Sequence, residues 1–122
     1  MSEEALRVLV VDDNDDQREL LRTHFRKAGC SADAVASLED ALTSIRSETP
    51  QVAVIDLLLG VESGWDAREA IRALVPDVAI VISSVLDESE YPSADDVLPK
   101  PFTRVEVREL VGRLRARRTD GA

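Results

Sequence analysis

Six polar residues of this 122-residue chain stand at the ends of short apolar segments: Asp12, Asp13, Asp56, Ser83, Ser84 and Lys100. Three carboxylates that converge repel one another unless a cation lies among them, and oxygen ligands with room for water suit Mg²⁺. A lysine nearby would neutralise an incoming phosphate, and a serine hydroxyl would hydrogen-bond to it. Such a set predicts phosphoryl transfer, which depends on positioning and charge stabilisation and in which an Asp carboxylate can be the nucleophile.

The apolar segments themselves predict strands. Three runs rich in Val and Ile, at residues 6–11, 52–55 and 78–82, are almost continuously apolar, as is typical of strands buried on both faces of a parallel sheet. Two weaker runs, at 31–35 and 96–98, bring the total to five strands.

Between the strands, apolar residues recur at helical spacing and predict four helices. The first helix is predicted from about 15 to 28, where Gly29 ends it, and the next two have apolar stripes at 38–45 and 67–74. The last has its apolar stripe at 107–114 and follows a capping box of Thr103 and Glu106. Alternating strands and helices predict a doubly wound α/β sheet with right-handed crossovers. Ligands bind outside the carboxyl ends of the strands in such sheets, and all six polar residues fall there.

The segment 84–95, between the fourth and fifth strands, departs from this alternation. Parallel strands need a crossover of about a dozen residues, usually helical, and this segment only reaches that minimum. Pro92 interrupts it. We therefore expect a shortened or missing fourth helix.

Composition narrows the function further. The length suits one domain, with a core at about 6–114 and a frayed tail at 117–122. The net charge of −9 argues against binding to nucleic acid, and no apolar run approaches the roughly 20 residues of a membrane helix. The start carries no apolar signal segment, and Cys30 is the only cysteine, so we expect a reducing compartment, the cytoplasm.

The motifs taken together resemble the receiver domain of two-component response regulators. The matching stretches are VLVVDD at 8–13, VIDLLLG at 54–60, the Gly64 that follows, VISS at 81–84 and LPKPF at 98–102. Each stretch alone is a weak signal, but their order and their placement at strand ends are highly specific. The resemblance covers about 6–114 and implies a flavodoxin-like five-stranded parallel sheet in the order 2-1-3-4-5.

The resemblance also implies a phosphoacceptor and a metal site. Asp56 would take a phosphoryl group from a sensor histidine kinase or a histidine phosphotransfer protein. Asp12 and Asp13 would hold Mg²⁺ together with Asp56 and the backbone carbonyl of Leu58.

Two further residues receive roles from the resemblance. Lys100 would pair with the phosphoryl oxygens, and its bond to Pro101 would be cis. Ser83 would be the hydroxyl that moves toward the phosphate. The domain would be a monomer or a weak homodimer that switches an unknown output partner, either as a stand-alone regulator or as a piece of a longer one.

Two features depart from the family pattern. Val97 stands where the family carries an aromatic residue that changes rotamer on activation, and the region of the fourth helix is about five residues short. The movement of Ser83 would then be transmitted by the segment 84–95, through a change in its order, with Tyr91 as a candidate reporter ring.

The sequence also allows two alternative interpretations of its function. The first is a protein-interaction module with the same fold that no longer depends on phosphorylation. The second is an enzyme, a phosphatase of the haloacid-dehalogenase type, which also uses an Asp nucleophile, Mg²⁺, a hydroxyl and a Lys. Such phosphatases place a general-acid Asp two residues after the nucleophile, where this chain has Leu58. We therefore expect a signalling domain that acts on no outside substrate.

Overall fold

The structure is a computed structural model that describes residues 5–60 and 62–120. In chain order, the elements within these residues are β1 (Arg7–Val11), α1 (Asp15–Lys27), β2 (Ser31–Val35), α2 (Leu38–Ser47), β3 (Val52–Ile55), β4 (Leu58–Leu59), β5 (Glu62–Ser63), α3 (Gly64–Leu74), β6 (Ala79–Ile82), a 3₁₀ turn (Glu88–Glu90), β7 (Asp96–Val97) and α4 (Arg104–Asp120).

Five parallel strands form the main sheet, in the order β2-β1-β3-β6-β7. Counted along the chain among these five strands, the order is 2-1-3-4-5, so the predicted flavodoxin-like topology is confirmed. The short strands β4 and β5 pair separately as an antiparallel hairpin. No helix among the described residues is both long and apolar enough to span a bilayer.

The continuous apolar character of the central strands follows from burial on both faces. Val8 and Val10 belong to a core beneath α1 and α4, which contains Phe25, Leu110 and Leu114 among others. Leu9 and Val11, which alternate with them along β1, belong to a second core beneath α2 and α3. Because successive side chains point to opposite faces of a sheet, a strand covered on both faces must be apolar at every position.

The helices begin at the residues whose side chains satisfy free backbone amides. Asn14, Ser37 and Ser63 accept hydrogen bonds from the amides of Gln17, Asp40 and Trp65, respectively. The predicted capping box at α4 is present: the amide of Thr103 donates to Glu106 Oε1 and the amide of Glu106 donates to Thr103 Oγ1. Gly29 follows α1 with a φ of +90°, a conformation that glycine adopts without strain.

The segment between β6 and β7 contains only the 3₁₀ turn, so the predicted loss of the fourth helix is confirmed. The edge strand that follows is held by ion pairs instead. Asp95 accepts from the amide of Ile80 at 2.7 Å and pairs with Arg72 and Arg117, each at 2.9 Å. One arginine comes from α3 and the other from α4, so the edge strand is tied to both layers of helices.

The last helix differs from the expectation of a frayed tail at 117–122. Helix α4 continues to Asp120, and the final two residues lie outside the described range. The contact between Arg117 and Asp95 gives a physical reason, because it anchors the last turns of the helix to the edge of the sheet.

Candidate functional site

The carboxyl ends of the strands bring two acids and one base into direct contact. Asp12 follows β1, Asp56 follows β3, and Lys100 lies three residues beyond β7. Lys100 Nζ donates to Asp12 Oδ2 at 2.6 Å and to Asp56 Oδ2 at 3.0 Å. The side chains of all three residues are at most 9% exposed. Low exposure strengthens these interactions, because water screens them less than at the surface.

Lys100 stays protonated in this environment. Burial alone would lower the pKa of its ammonium group, but the hydrogen bonds and charges of Asp12 and Asp56 together outweigh burial, and the pKa is raised. The site therefore holds a fixed positive charge between two carboxylates.

Asp13 completes a cluster of three carboxylates. One oxygen from each of Asp12, Asp13 and Asp56 lies within 4.8 Å of the others. Asp12 and Asp56 are buried, whereas Asp13 is exposed, so the cluster opens to solvent on one side. Three carboxylate oxygens with an open side fit Mg²⁺, which keeps several water ligands when it binds to proteins.

Leu58 lies next to this cluster through its backbone. Its amide donates to Asp56 Oδ1 at 3.0 Å, which fixes the second oxygen of that carboxylate. Its side chain is exposed and takes no part in either core. The backbone at Leu58 is thus held against the Asp56 carboxylate.

Ser83 supplies a buried hydroxyl at the end of the neighbouring strand. Its amide donates to the carbonyl of Ile55, the residue before Asp56. Its Oγ is buried and has no hydrogen-bond partner among the described residues. A buried polar atom without a partner costs about 1–3 kcal/mol, so an acceptor from a bound group would relieve a real penalty here.

Glycine at position 64 allows the chain to pass close to the acidic cluster. A Cβ atom on Gly64 would lie 2.2 Å from the carbonyl oxygen of Asp56 and 2.4 Å from Leu57 Cα. Real Cβ atoms do not approach backbone atoms this closely. The start of α3 therefore packs against the Asp56 backbone only because residue 64 lacks a side chain.

The structure brings Asp12, Asp13, Asp56 and Lys100 together. It places the amide of Leu58 on Asp56 and Ser83 at the neighbouring strand end, while the roles of the Leu58 carbonyl and the Ser83 hydroxyl stay predictions. It also adds two contacts. Lys100 contacts Asp12 as well as Asp56, although the sequence predicted for Lys100 only a contact with phosphoryl oxygens. The Tyr91 hydroxyl bonds to the backbone of Ser84. The site residues were predictable because they follow buried strands, whereas the Tyr91 contact depends on the path of a loop. The Lys100–Pro101 bond is cis, as predicted.

Comparison with known proteins assigns the family. The family model for the response regulator receiver domain matches residues 8–112. The chain belongs to this family. The match argues against a phosphatase of the haloacid-dehalogenase type, the enzyme alternative considered above.

Curated relatives agree with this assignment. Response regulator MprA from Mycolicibacterium vanbaalenii is 35% identical over an alignment of 128 positions, gaps included, that covers 96% of this chain and 54% of MprA. The transcriptional regulatory protein GltR from Pseudomonas aeruginosa is 32% identical over 95% of this chain and 50% of GltR. The receiver domain thus spans about half the length of the curated relatives it matches.

Solved structures share the fold. NtrX from Brucella abortus gives a TM-score of 0.86 at 22% identity, over 97% of this chain and 29% of NtrX. The response regulator TrrA from Thermotoga maritima, solved in complex with Mg²⁺ and BeF, gives a TM-score of 0.78 at 29% identity over 88% of this chain and 97% of TrrA. This receiver domain is therefore a response-regulator module of two-component signalling.

Proposed function

We propose that this receiver domain is phosphorylated on Asp56, with Mg²⁺ held by Asp12, Asp13, Asp56 and the backbone carbonyl of Leu58. The observation that supports the proposal most strongly is the contact of Lys100 Nζ with two buried carboxylates, Asp12 and Asp56. The unpartnered hydroxyl of Ser83 adds a group that a phosphoryl oxygen would satisfy. The relative TrrA was solved with Mg²⁺ and BeF, which supports the binding of Mg²⁺ by this chain as well.

The phosphoryl donor would be the phosphohistidine of a sensor histidine kinase or of a histidine phosphotransfer protein. One carboxylate oxygen of Asp56 attacks phosphorus, the P–N bond breaks, and the imidazole nitrogen keeps the bonding electron pair and takes a proton from solvent. The leaving group is thus neutral, and the new bond is an acyl phosphate. When bound, Mg²⁺ would neutralise charge on the phosphoryl oxygens.

Two side chains of this chain would respond to the new charge. Lys100 already lies 3.0 Å from Asp56 Oδ2, so a small shift would bring its ammonium group to a phosphoryl oxygen. The Ser83 hydroxyl would donate a charge-assisted hydrogen bond, which is about twice as strong as a neutral one. The domain would catalyse part of its own phosphorylation and dephosphorylation and would act on no other substrate.

The resulting signal would go to an output partner by protein contact in the cytoplasm. We propose residues 6–114 as the core of one folding unit that is a monomer or a weak homodimer. The net charge of −9 supports a partner other than nucleic acid for this domain.

Two features of the chain support a second candidate function. Val97 replaces the expected aromatic residue, and the 3₁₀ turn at Glu88–Glu90 replaces a helix. Both changes lie on the face that a phosphorylation signal would have to cross. The second candidate is a receiver fold that binds its partner regardless of phosphorylation.

The experiment is phosphorylation by acetyl phosphate in the presence of Mg²⁺, read by intact mass. We expect the parent protein to gain the mass of one phosphoryl group and Asp56→Asn to gain none, because an amide is a poor nucleophile. Asp16→Asn is the matched control, because it changes an exposed acid of α1 that is not among the clustered carboxylates, and it should be labelled as the parent is. Full labelling of Asp56→Asn would identify another acceptor, and failure of the parent to gain mass would favour the phosphorylation-independent module.

A further inference from the structure

A second, basic cavity lies between α1 and α4. It has a volume of about 170 Å³ and is lined by His24, Lys27, Ala28, Arg104 and Arg108. Four of these five residues are basic and none is acidic, in a chain whose net charge is −9. The lining shares no residue with the cluster of Asp12, Asp13 and Asp56. The cavity therefore concentrates positive charge away from the phosphorylation site.

The cationic side chains of this cavity have no carboxylate partner among the residues that the structure describes. Lys27, Arg104 and Arg108 take part in none of the ion pairs found there. The larger cavity at the other end of α4 differs, because its Arg72 and Arg117 are both neutralised by Asp95. Among the described residues, Arg118 is the one arginine lining that larger cavity without an ion pair, whereas the cavity between α1 and α4 has three unpaired cationic groups: Lys27, Arg104 and Arg108.

His24 lines the same cavity, and the positive charges around it affect its pKa. Burial lowers the pKa of its imidazole most, and the charges of Lys27 and Arg104 lower it further. The Nδ1 atom is buried and has no hydrogen-bond partner among the described residues. The ring packs edge-on against Phe102, with centroids 6.2 Å apart, which fixes its orientation.

We infer that the cavity between α1 and α4 is a binding site for a small tetrahedral oxyanion, such as free phosphate or the phosphate group of a small metabolite. Three cationic side chains supply donors from two helices, Lys27 from α1 and Arg104 and Arg108 from α4. The volume equals that of about six water molecules in the liquid, which suits an oxyanion with some of its water. Sites for drug-sized ligands are larger, at about 300–1,000 Å³. The inference does not depend on phosphorylation of Asp56.

The test is an NMR titration of untagged protein with sodium sulfate and, separately, with inorganic phosphate, without Mg²⁺ and at constant ionic strength set by chloride. His24 is the only histidine, so its ring signals are unambiguous. We expect saturable shifts of the amides in α1 and at the start of α4. We also expect sulfate to raise the pKa of His24, because a bound anion stabilises the imidazolium that the nearby cationic side chains otherwise destabilise. Glucose 6-phosphate distinguishes a phosphorylated metabolite from free phosphate.

Variants decide whether the basic cavity is the site. The double change Arg104→Gln and Arg108→Gln should weaken binding by about tenfold or more, because each arginine contributes a charge-assisted hydrogen bond. Arg46→Gln, which removes an exposed arginine from α2, should leave binding unchanged. Melting curves establish that both variants fold.

Three results would overturn the inference. They are shifts that do not saturate, equal binding by the double variant and the parent, and binding of an oligoglutamate peptide without binding of sulfate or phosphate. The last would make the cavity part of a contact surface for acidic proteins.

Discussion

The hydroxyl of Tyr91 is bonded twice to the backbone of Ser84. It donates to the Ser84 carbonyl at 2.7 Å and accepts from the Ser84 amide at 3.2 Å. The same carbonyl accepts from the amide of Lys100 at 3.0 Å. Burial raises the pKa of the Tyr91 phenol, so the hydroxyl keeps its proton and remains a donor. Tyr91 thus ties the loop at 84–95 to the residue that follows Ser83.

Removal of this hydroxyl should loosen the loop. In Tyr91→Phe the ring still packs, but the fully buried Ser84 backbone loses both hydrogen bonds to the Tyr91 hydroxyl, and its carbonyl keeps only the amide of Lys100. We expect the free energy of unfolding to fall by about 1–2 kcal/mol and amide exchange within 84–95 to become faster. Urea denaturation and hydrogen exchange read by mass spectrometry measure the two effects. Unchanged exchange in this segment would mean that the contact does not hold the loop.

The same loop should respond to a phosphate mimic. With Val97 in place of an aromatic residue, any movement of Ser83 passes first to Ser84 and then to Tyr91. We expect the largest change in exchange outside the site, on addition of Mg²⁺ and beryllofluoride, to fall within 84–95, and Tyr91→Phe to reduce it. If this segment exchanged identically in both states while α4 changed, the loop switch would be the wrong mechanism.

The site was predictable because its residues occupy strand ends. Val8 and Val10 face one core while Leu9 and Val11 face the other, so β1 reads as an unbroken apolar run and the residue after it stands out. The same signal marks β3 and β6. Parallel topology then places all of these ends at one edge of the sheet, which is why Asp12 and Asp56 could be expected to meet.

The remaining contacts depend on loops and on helix length, which apolar periodicity does not determine. The bond from Tyr91 to Ser84 requires a particular path of the loop at 84–95. The contact near the end of α4 joins Arg117 to Asp95, residues that the sequence separates by 22 positions. The basic cavity depends on how α1 and α4 are placed side by side.

Two glycines should respond oppositely to alanine. In Gly64→Ala, the new methyl group would meet the backbone of Asp56 and Leu57, so we expect a loss of about 1–3 kcal/mol or more in the free energy of unfolding and slower phosphorylation. Gly112→Ala is the matched control, since no atom beyond its chain neighbours and the backbone of α4 lies within 4 Å of its Cβ position. That change should stabilise the domain by up to about 1 kcal/mol. Equal stability of the two variants would contradict the packing described for α3.

The ionisation of Asp95 should make the free energy of unfolding depend on pH. Burial alone would raise the pKa of its carboxyl, but the Ile80 amide, the hydrogen bond and charge of Arg72, and the charge of Arg117 together hold it below the usual 3.8. Its contribution is therefore complete above the unfolded-state pKa and is lost as the pH falls through the folded-state pKa. We expect Asp95→Asn to be less stable than the parent near neutral pH and this difference to shrink below about pH 4. Urea denaturation across this range measures it, and a constant difference would contradict the assignment.

Asp13 should oppose folding when no metal is bound and support it when Mg²⁺ is present. Lys100 contacts Asp12 and Asp56 but not Asp13, so the third carboxylate adds repulsion that no contact offsets. Asp13→Ala should therefore melt at a higher temperature than the parent without Mg²⁺.

With Mg²⁺ the order should reverse, since the cation binds the folded arrangement and raises the melting temperature of the parent more than that of the variant. Melting curves of both proteins with EDTA and with a series of Mg²⁺ concentrations make the comparison. Asp16→Ala is the matched control, because it removes an acid from the first turn of α1 that is not among the clustered carboxylates. The control should respond to Mg²⁺ as the parent does. Equal or lower stability of Asp13→Ala without Mg²⁺ would show that the three carboxylates do not repel one another enough to matter.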